Sequence, residues 1–344
     1  MAGLRGRALR ARVYFREPRS VTDSDTEAMR RQAWGDYWST GRLHSCADGS
    51  GKNYDGAIGA FWHARFTAVE AGDRLLDLAT GNGALPRLAR RLHGGAVVVD
   101  AIDLAAIAPA WLDAEAWEGI RFHPGVRMEA LPFAADAFDH VVSQFGLEYA
   151  DRAGALSECV RVAKPGARFA FVMHHADSVL VKVGREELAH HALLGAGDGL
   201  IASALAVVPW IVRIRAGAAQ VQDAVLARHH YNLAMQTLAA RIASSPAPDL
   251  LLEARDHVHR LVAGAGTDAA SSGAQLQDYA SALEGARLRT AEMVSHALDD
   301  MQLDAFTQAF EALKPGMSVT RSVLRQSEGI VGWAWVADPV TEAG

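Results

Sequence analysis

Residues 75–92 read LLDLATGNGALPRLARRL, and the rest of the fold can be worked out from this stretch. An apolar, strand-like run ends in a loop of small residues that contains Gly81 and Gly83, and a helix-like pattern follows the loop. Glycines in such a loop let backbone N–H groups approach a ligand closely. The stretch therefore predicts a strand, a ligand-binding turn and a helix.

Other apolar runs follow at regular intervals along the chain. AVVVDAID at 96–103, HVVSQF at 140–145 and RFAFVM at 168–173 are separated by helical or mixed segments. Unbroken apolar strands between helices are typical of a parallel sheet covered on both faces. The region from about 70 to 175 is therefore predicted to be a doubly wound α/β domain. The alternating run at 317–325, the turn QSEG and IVGWAWVADP at 330–339 predict a hairpin that returns to this sheet.

The chain between these two parts has a different composition. Strand-like runs disappear after Asp177, and Ala, Leu, Gln, Glu, His and Arg dominate. We predict helices at 183–193, 197–213, 216–243, 248–263, 273–299 and 303–313. Because the hairpin follows them, these helices are expected to be inserted into the α/β domain.

Composition and charge limit the class of protein. Half of the 344 residues are apolar, and the net charge of −6 argues against a general nucleic-acid binder. Cys46 and Cys159 form neither a disulfide framework nor a metal-ligand spacing, so we expect reduced thiols and a cytoplasmic location. Residues 1–20 carry six arginines but no apolar signal segment, and residues 200–212 are too short to span a bilayer.

The glycine loop alone leaves two cofactor classes open. A dinucleotide fingerprint requires a third glycine for close packing of helix and strand, and Pro86 stands at that position. Asp103, twenty residues after Gly83, can bond ribose hydroxyls in a dinucleotide or in S-adenosylmethionine. The loop therefore weakens the dinucleotide interpretation without choosing between the two.

The complete set of motifs resembles the class I S-adenosylmethionine-dependent methyltransferases of the bacterial small-molecule type. Asp77, Ala79, Gly81 and Gly83 match the family's acid-plus-glycine loop, and Asp103 matches its ribose acid. The runs EALPFAADAFDHVVSQFGL, VAKPGARFAFVM and GWAWVA match the segments around its fourth, fifth and last strands. The resemblance covers roughly residues 55–177 and 315–338.

The resemblance implies a doubly wound seven-stranded sheet with an antiparallel last strand, and here a large all-helical insert after the fifth strand. It implies four units: a flexible basic tail (1–21), an N-terminal helical cap (22–70), the cofactor-binding α/β domain (71–177 and 314–344) and the insert (178–313). The insert is expected to form a substrate lid and a contact between two copies of the chain.

It also implies S-adenosylmethionine as cofactor, with S-adenosylhomocysteine as product. The expected cofactor residues are Tyr37, Trp38, Asp77, Ala79, Gly81, Asn82, Gly83, Asp103, Leu104, Met128, Glu129, Ala130, Gln144, Phe145 and Gly146. The glycine loop would face the methionine end, Met128 to Ala130 would flank adenine, and Gln144 to Gly146 would lie beneath the sulfonium.

The sequence departs from the family at two positions. Ala79 replaces the first glycine of the loop, at little cost provided that its φ is negative. Arg127 stands where the family often has an aspartate that bonds adenine, so Met128 and Glu129 are expected to supply those contacts. For Tyr37 and Trp38, packing on the core is the alternative to contact with the cofactor.

Methyl transfer mainly requires alignment of the nucleophile, and a base only if that nucleophile carries a proton. Candidates are His174 and His175 after the fifth strand, Tyr149 after the fourth, and His44 after the aromatic N-terminal helix. Adjacent strand residues point to opposite faces, so at most one of the two histidines is expected to face a substrate. Bonding to backbone carbonyls is the alternative for both.

No metal is expected. RHHYN at 228–232 and DHVHR at 256–260 lack the ligand spacing of helix-borne zinc sites, and neither cysteine has a paired base in the sequence.

The sequence thus predicts a methyltransferase that acts on a small molecule. The expected reaction is the O-, N- or S-methylation of a specialised metabolite in natural-product biosynthesis. No nucleic-acid or membrane partner is expected. A protein or RNA methyltransferase and a non-catalytic cofactor-binding protein are the alternatives.

Overall fold

The structure of the protein is a computed structural model, which describes residues 23–45, 53–115, 119–266 and 268–340. The predicted tail and Cys46 lie outside the described residues. The strands are β1 (Arg74–Leu78), β2 (Val98–Asp103), β3 (Ile120–Pro124), β4 (Phe138–Gln144), β5 (Ala163–Met173), β6 (Met317–Gln326) and β7 (Gly329–Pro339). The helices are α1 (Asp23–Ser39), α2 (Gly56–Phe66), α3 (Ala84–His93), α4 (Ala110–Glu115), α5 (Arg152–Val162), α6 (Val179–Leu194), α7 (Leu200–Arg215), α8 (Gln222–Ser244), α9 (Asp249–Ala263), α10 (Ala269–His296) and α11 (Asp300–Leu313).

All seven strands belong to one sheet with the order β3-β2-β1-β4-β5-β7-β6. Strands β1 to β5 run parallel, and β7 is antiparallel to both β5 and β6. The predicted fold is confirmed, including the antiparallel last strand. The strand order reverses between β1 and β4, which is where open α/β sheets bind ligands at the carboxyl ends of their strands.

Helices cover both faces of the sheet, as the unbroken apolar strands require. On one face, α5 and α11 enclose an aromatic core in which Trp335 stacks on Phe171 and meets Phe310 edge-on. On the other face, Trp62 of α2 and Leu88 of α3 are buried against β1 and β2. Every central strand is therefore buried on both sides.

Six helices, α6 to α11, lie between β5 and β6 in the chain. Helices α7, α8, α9 and α10 share a core of their own, built around Val208, Leu251, Val258 and Leu276. Helix α11 instead buries its aromatic side chains in the core of the sheet. Among the described residues, no helix is long and apolar enough to cross a membrane.

Helix α1 is held between the sheet and the insert. Arg30 forms an ion pair with Glu292 of α10, and Trp34 Nε1 donates to the same carboxylate at 3.3 Å. Arg289 of α10 donates to the carbonyl oxygen of Ala33 at 2.8 Å and lies 4.7 Å from the centre of the Tyr37 ring. These contacts fix the helix over the carboxyl ends of the central strands.

Candidate active site

A cleft with about 1000 Å³ of empty space, part of it open to solvent, lies where the strand order reverses. Twelve of the predicted site residues line it: Trp38, His44, Asp77, Ala79, Asp103, Leu104, Met128, Glu129, Gln144, Phe145, Gly146 and Tyr149. The lining does not include Tyr37, Gly81, Asn82, Gly83, Ala130, His174 or His175. For both sets, the assignment to cofactor binding or catalysis remains a prediction.

The loop after β1 has the left-handed backbone that its glycines allow. The φ angles are +54° at Gly81 and +79° at Gly83, and a Cβ atom on Gly81 would lie 2.5 Å from the Trp38 ring. Ala79 also has a positive φ, +52°. The replacement of glycine by Ala79 was expected to cost little stability provided that its φ is negative, and this condition is not met. A left-handed conformation costs a non-glycine residue about 1–2 kcal/mol.

Asn82 connects this loop to the N-terminal helix. Its Nδ2 atom donates to the carbonyl oxygens of Trp38 at 2.9 Å and Arg42 at 2.7 Å. The loop therefore holds the end of α1 against the cleft.

Asp77 is buried at the end of β1, and neither carboxylate oxygen has a hydrogen-bond partner of regular geometry among the described residues. Burial raises the pKa of Asp77 to about 8; the Thr80 hydroxyl opposes this shift, and the nearby Asp103 carboxylate adds to it. An uncompensated buried carboxylate is unfavourable, so this site favours a cation that donates hydrogen bonds.

Asp103 is buried at the end of β2 and accepts hydrogen bonds from the backbone N–H groups of Gly81 and Ala105, both at 2.8 Å. Burial raises the pKa of Asp103 to about 6, although these bonds oppose the shift. The backbone N–H of Leu104 also acts on this carboxylate, which still has lone-pair capacity to accept from a ligand hydroxyl.

Gln144 ends β4 and presents a side-chain amide to the cleft. Its Oε1 atom accepts a hydrogen bond from Trp62 Nε1, which fixes the orientation of the amide. Its Nε2 atom is buried and lacks a partner within the described ranges. The amide is therefore a preorganised donor at the floor of the cleft.

The two adjacent histidines point in opposite directions. His174 stacks on Phe145 at 4.2 Å, and its Nδ1 atom lies 2.7 Å from Oε1 of Glu148. His175 instead stacks on Trp333 at 4.3 Å, and its Nδ1 atom accepts from the backbone of Asp177. His175 therefore lies away from the cleft, whereas His174 lies directly behind Phe145, which lines it.

Glu148 is a functional candidate that the sequence analysis missed. It is almost fully buried, and its Oε2 atom has no partner in the part of the chain that the structure describes. A lone carboxylate in the apolar segment FGLEYA, just after the fourth strand, was the available signal.

Tyr149 and His44 both line the cleft. Tyr149 meets the rings of Trp34 and His174 edge-on, and burial together with the Glu148 charge raises the pKa of Tyr149 well above its usual value. Its hydroxyl is therefore a donor rather than a base near neutral pH. His44 stacks on Tyr54 at 4.4 Å.

Arg127 ties the rim of the cleft to α1. It forms an ion pair with Glu27 and lies 3.6 Å from Glu129, whose carboxylate accepts from the backbone of Asp151. Several other lining residues from α1 were missed, namely Glu27, Arg30, Arg31 and Trp34. Their position depends on how α1 docks, which the local sequence does not reveal.

The histidine-rich segments of the insert form no metal site in the structure. Within the described ranges, no group of three His, Cys, Asp or Glu side chains could hold a metal ion. Cys159 is buried in α5, and burial raises the pKa of its thiol to about 12.

Part of this chain is similar in sequence to known methyltransferases. The model of a methyltransferase domain matches residues 76–171. A demethylmenaquinone methyltransferase from Thermus thermophilus is 42% identical over 104 residues, which are 29% of this chain and 46% of that protein. A ubiquinone/menaquinone biosynthesis C-methyltransferase from Geobacter sulfurreducens is 35% identical over 103 residues, 28% of this chain and 40% of that protein. The chain thus spans less than half the length of these relatives.

Solved structures show a more distant similarity. A methyltransferase from Aquifex aeolicus gives a TM-score of 0.32 at 20% identity, covering 36% of this chain and 65% of that one. Geranyl diphosphate C-methyltransferase from Streptomyces coelicolor gives a TM-score of 0.35 at 19% identity, and the match covers 45% of this chain and 66% of that one. The span matched by the domain model runs from β1 into β5 and includes the loop and strand ends that build the cleft. On this basis residues 76–171 are similar to a methyltransferase domain, and the sheet has the strand order and antiparallel last strand of the class I methyltransferase fold.

Proposed function

We propose that this protein transfers a methyl group from S-adenosylmethionine to a small aromatic acceptor. The observation that carries the proposal is the buried carboxylate of Asp77 beside the glycine loop, where the neighbouring Thr80 hydroxyl is neutral and leaves the charge uncompensated. The cofactor's ammonium group is a cation with three N–H donors, and it would supply the missing hydrogen bonds and charge.

Two further residues fit other parts of the cofactor. Asp103 retains lone pairs for the ribose hydroxyls, and the free Nε2 of Gln144 can donate to polar atoms at the floor of the cleft. Met128 and Glu129 line the end expected to hold adenine. When bound, the cofactor supplies an electrophilic methyl group on a sulfonium, so the protein mainly has to bind and orient both partners.

Aromatic side chains support the choice of acceptor. Trp34, Trp38, Tyr54 and Tyr149 line the cleft together with His44. Flat rings favour stacked or edge-on contact with a planar aromatic molecule. The relatives named for menaquinone and ubiquinone biosynthesis point to the same chemistry, a quinone-type ring that carries hydroxyl groups in its reduced form.

His174 lies behind Phe145, so the pair of His174 and Glu148 would accept the acceptor's proton once the Phe145 ring moves aside. Because Nδ1–H donates to the Glu148 carboxylate, Nε2 is the nitrogen left to take up a proton, and the carboxylate would stabilise the resulting imidazolium. The acceptor loses one proton for each methyl group gained, whether from a hydroxyl oxygen or from a ring carbon, as the name C-methyltransferase states for the Geobacter relative, so the pair balances the transfer. A cytoplasmic location, a specialised metabolite and dimerisation through the insert remain predictions.

The proposal is tested by calorimetric titration with S-adenosylmethionine, S-adenosylhomocysteine and NAD. We expect binding of the two sulfur compounds only, and weaker binding by Asp77→Asn and Asp103→Ala. Asp304→Asn on the exposed face of α11 serves as the control, since its side chain is about half exposed and far from the loop in sequence. Absence of binding to both sulfur compounds would contradict the proposal.

Turnover is measured separately with labelled cofactor and a reduced naphthoquinone as the acceptor probe. Label in the naphthoquinol supports the proposed acceptor class. Label in added protein or RNA instead, or cofactor binding with no transfer, would favour one of the two alternatives from the sequence.

A further inference from the structure

We infer that the tip of the α7–α8 hairpin, residues 213–229, docks onto an anionic lipid surface. Residues 213–223 are all exposed, an unbroken run that includes the last turn of α7 and the first residues of α8. The proposal is independent of the methyl-transfer site, because the hairpin belongs to the insert and its core is separate from that of the sheet.

The hairpin tip exposes apolar side chains that its own core leaves uncovered. Ile214, Val221, Val225 and Leu226 are between 41% and 45% exposed. Of the ten large hydrophobic side chains that are most exposed among the described residues, these four fall within thirteen consecutive positions. Apolar groups concentrated in this way on a protruding element are typical of an interaction surface.

The charges at the tip are mainly positive although the whole chain carries −6. No Asp or Glu occurs from 199 to 222, and Asp223 is the one acid within residues 213–229. Arg213, Arg215 and Arg228 are exposed at the tip, and Arg213 lies 5.0 Å from the Trp210 ring. Arg215 donates to the carbonyl oxygens of Ala263 and Ala265.

These bonds place the end of α9 beside the hairpin tip and bring further charges to this side. Arg260 is exposed in the last turn of α9, and Asp268 caps the start of α10. Asp256, one turn before Arg260 on α9, adds a third acid on this side. The four arginines still outnumber the three acids, and at the tip itself Arg213, Arg215 and Arg228 face Asp223 alone, so the tip is a cationic rim around apolar side chains.

This combination favours a lipid surface over a second copy of the chain. A symmetric dimer would place the same patch on itself and bring its arginines together. A bilayer with anionic headgroups instead attracts the arginines, by about fivefold in binding for each cation near the surface, and receives the apolar side chains at the headgroup boundary. The proposal departs from the expectation that the protein has no membrane partner.

Cosedimentation of the full chain with vesicles tests the proposal. We expect binding to vesicles of equimolar phosphatidylcholine and phosphatidylglycerol, little binding to phosphatidylcholine alone, and release by high salt. The variants Ile214→Ser/Leu226→Ser and Arg213→Gln/Arg228→Gln should each reduce binding at least tenfold. Met301→Ser and Arg325→Gln, which alter exposed side chains outside the insert core, should bind as the unmodified protein does.

Three results would overturn the proposal: no binding to either kind of vesicle, equal binding to both, or binding that the tip variants leave unchanged. A concentration-dependent doubling of mass that the tip variants abolish would assign the surface to a second copy. Titration with S-adenosylhomocysteine is expected to be the same for all variants, which separates this test from that of the proposed function.

Discussion

The carboxylate of Glu148 holds His174 at two points, through the imidazole Nδ1 at 2.7 Å and through the backbone N–H at 2.8 Å. Both bonds use the same oxygen atom, Oε1. The arrangement fixes the ring orientation and leaves Nε2 as the nitrogen that can accept a proton.

Replacement of His174 by Gln is expected to lower kcat by about 10² to 10⁴-fold, the usual contribution of a positioned base. KM and the affinity for S-adenosylhomocysteine should change little, because His174 lies behind Phe145 and meets the acceptor only when that ring moves aside for the proton transfer. Glu148→Gln should lower kcat less, since the amide can still accept from Nδ1. Steady-state kinetics with the naphthoquinol probe measure both effects.

His175→Gln is the matched control, because its ring lies on Trp333 at the opposite face. Equal losses of kcat in His174→Gln and His175→Gln would indicate that both act through folding.

Binding of S-adenosylmethionine at neutral pH is expected to release a proton from Asp77. The unliganded pKa of Asp77 is raised to about 8, and a nearby ammonium would lower it again. Calorimetry in two buffers with different ionisation enthalpies would show the release as a difference in the observed enthalpy. Asp77→Asn should remove that difference, and an unmodified protein with the same enthalpy in both buffers would contradict the prediction.

The same carboxyl group predicts a pH-dependent stability for the unliganded protein. Because the folded pKa exceeds the unfolded one, folding takes up a proton, and the free energy of unfolding falls as pH rises between about 4 and 8. Asp77→Asn should therefore have a higher Tm than the unmodified protein near pH 8 and a similar Tm near pH 4. Thermal unfolding followed by circular dichroism over this range tests it. A constant difference in Tm at all pH values would show that ionisation is not the cause.

Ala79→Gly is expected to raise the free energy of unfolding by about 1 kcal/mol, because it relieves a left-handed conformation. Ala239→Gly, on the exposed face of α8, is the control and should lower it by about 0.5–1 kcal/mol. Urea denaturation measures both variants. Destabilisation by Ala79→Gly would mean that contacts of its methyl group with the Gly146 segment outweigh the backbone strain.

Glu292→Ala should loosen α1 over the cleft, since it removes the ion pair to Arg30 and the hydrogen bond from Trp34. We expect faster hydrogen exchange in residues 23–39 and weaker binding of S-adenosylhomocysteine. Glu284→Ala, which breaks a more exposed ion pair with Arg287 on the same helix, should leave both unchanged. Unaltered exchange in the Glu292 variant would contradict the prediction.

The sheet was predictable because each strand can be identified from the apolar pattern of its own short segment. Runs such as residues 97–99 and 169–173 are apolar on both faces, which is typical of strands in a sheet that is covered on both sides. The positive φ of Ala79 was not predictable, because nothing in the side chain signals a conformation that the surrounding loop imposes. The contact between Arg30 and Glu292 joins residues 262 positions apart, so neither the docking of α1 nor its share of the cleft lining follows from the local pattern.

The candidate site likewise contains some residues that the local sequence identifies and others that depend on contacts between distant parts of the chain. Asp77 and Asp103 stand at strand ends beside a glycine turn, a position with a known geometry in open sheets. Glu148 lies in a short turn, and its partner His174 comes from the next strand. Its relevance depends on which strands are neighbours, which the sheet order establishes and the sequence around Glu148 does not.

The position of β7 between β5 and β6 has a consequence for how this protein is made. Phe169 of β5 pairs with Ala337 of β7, so the two strands that meet are separated by more than 150 residues of intervening chain. A ribosome therefore produces β5 long before its partner exists, and the edge of β5 stays open while α6 to α11 emerge. Closure of long chain segments is slow, and an open strand edge can pair with other chains. During synthesis the insert therefore emerges beside an unfinished sheet, and the open edge of β5 can pair with other chains until β7 arrives.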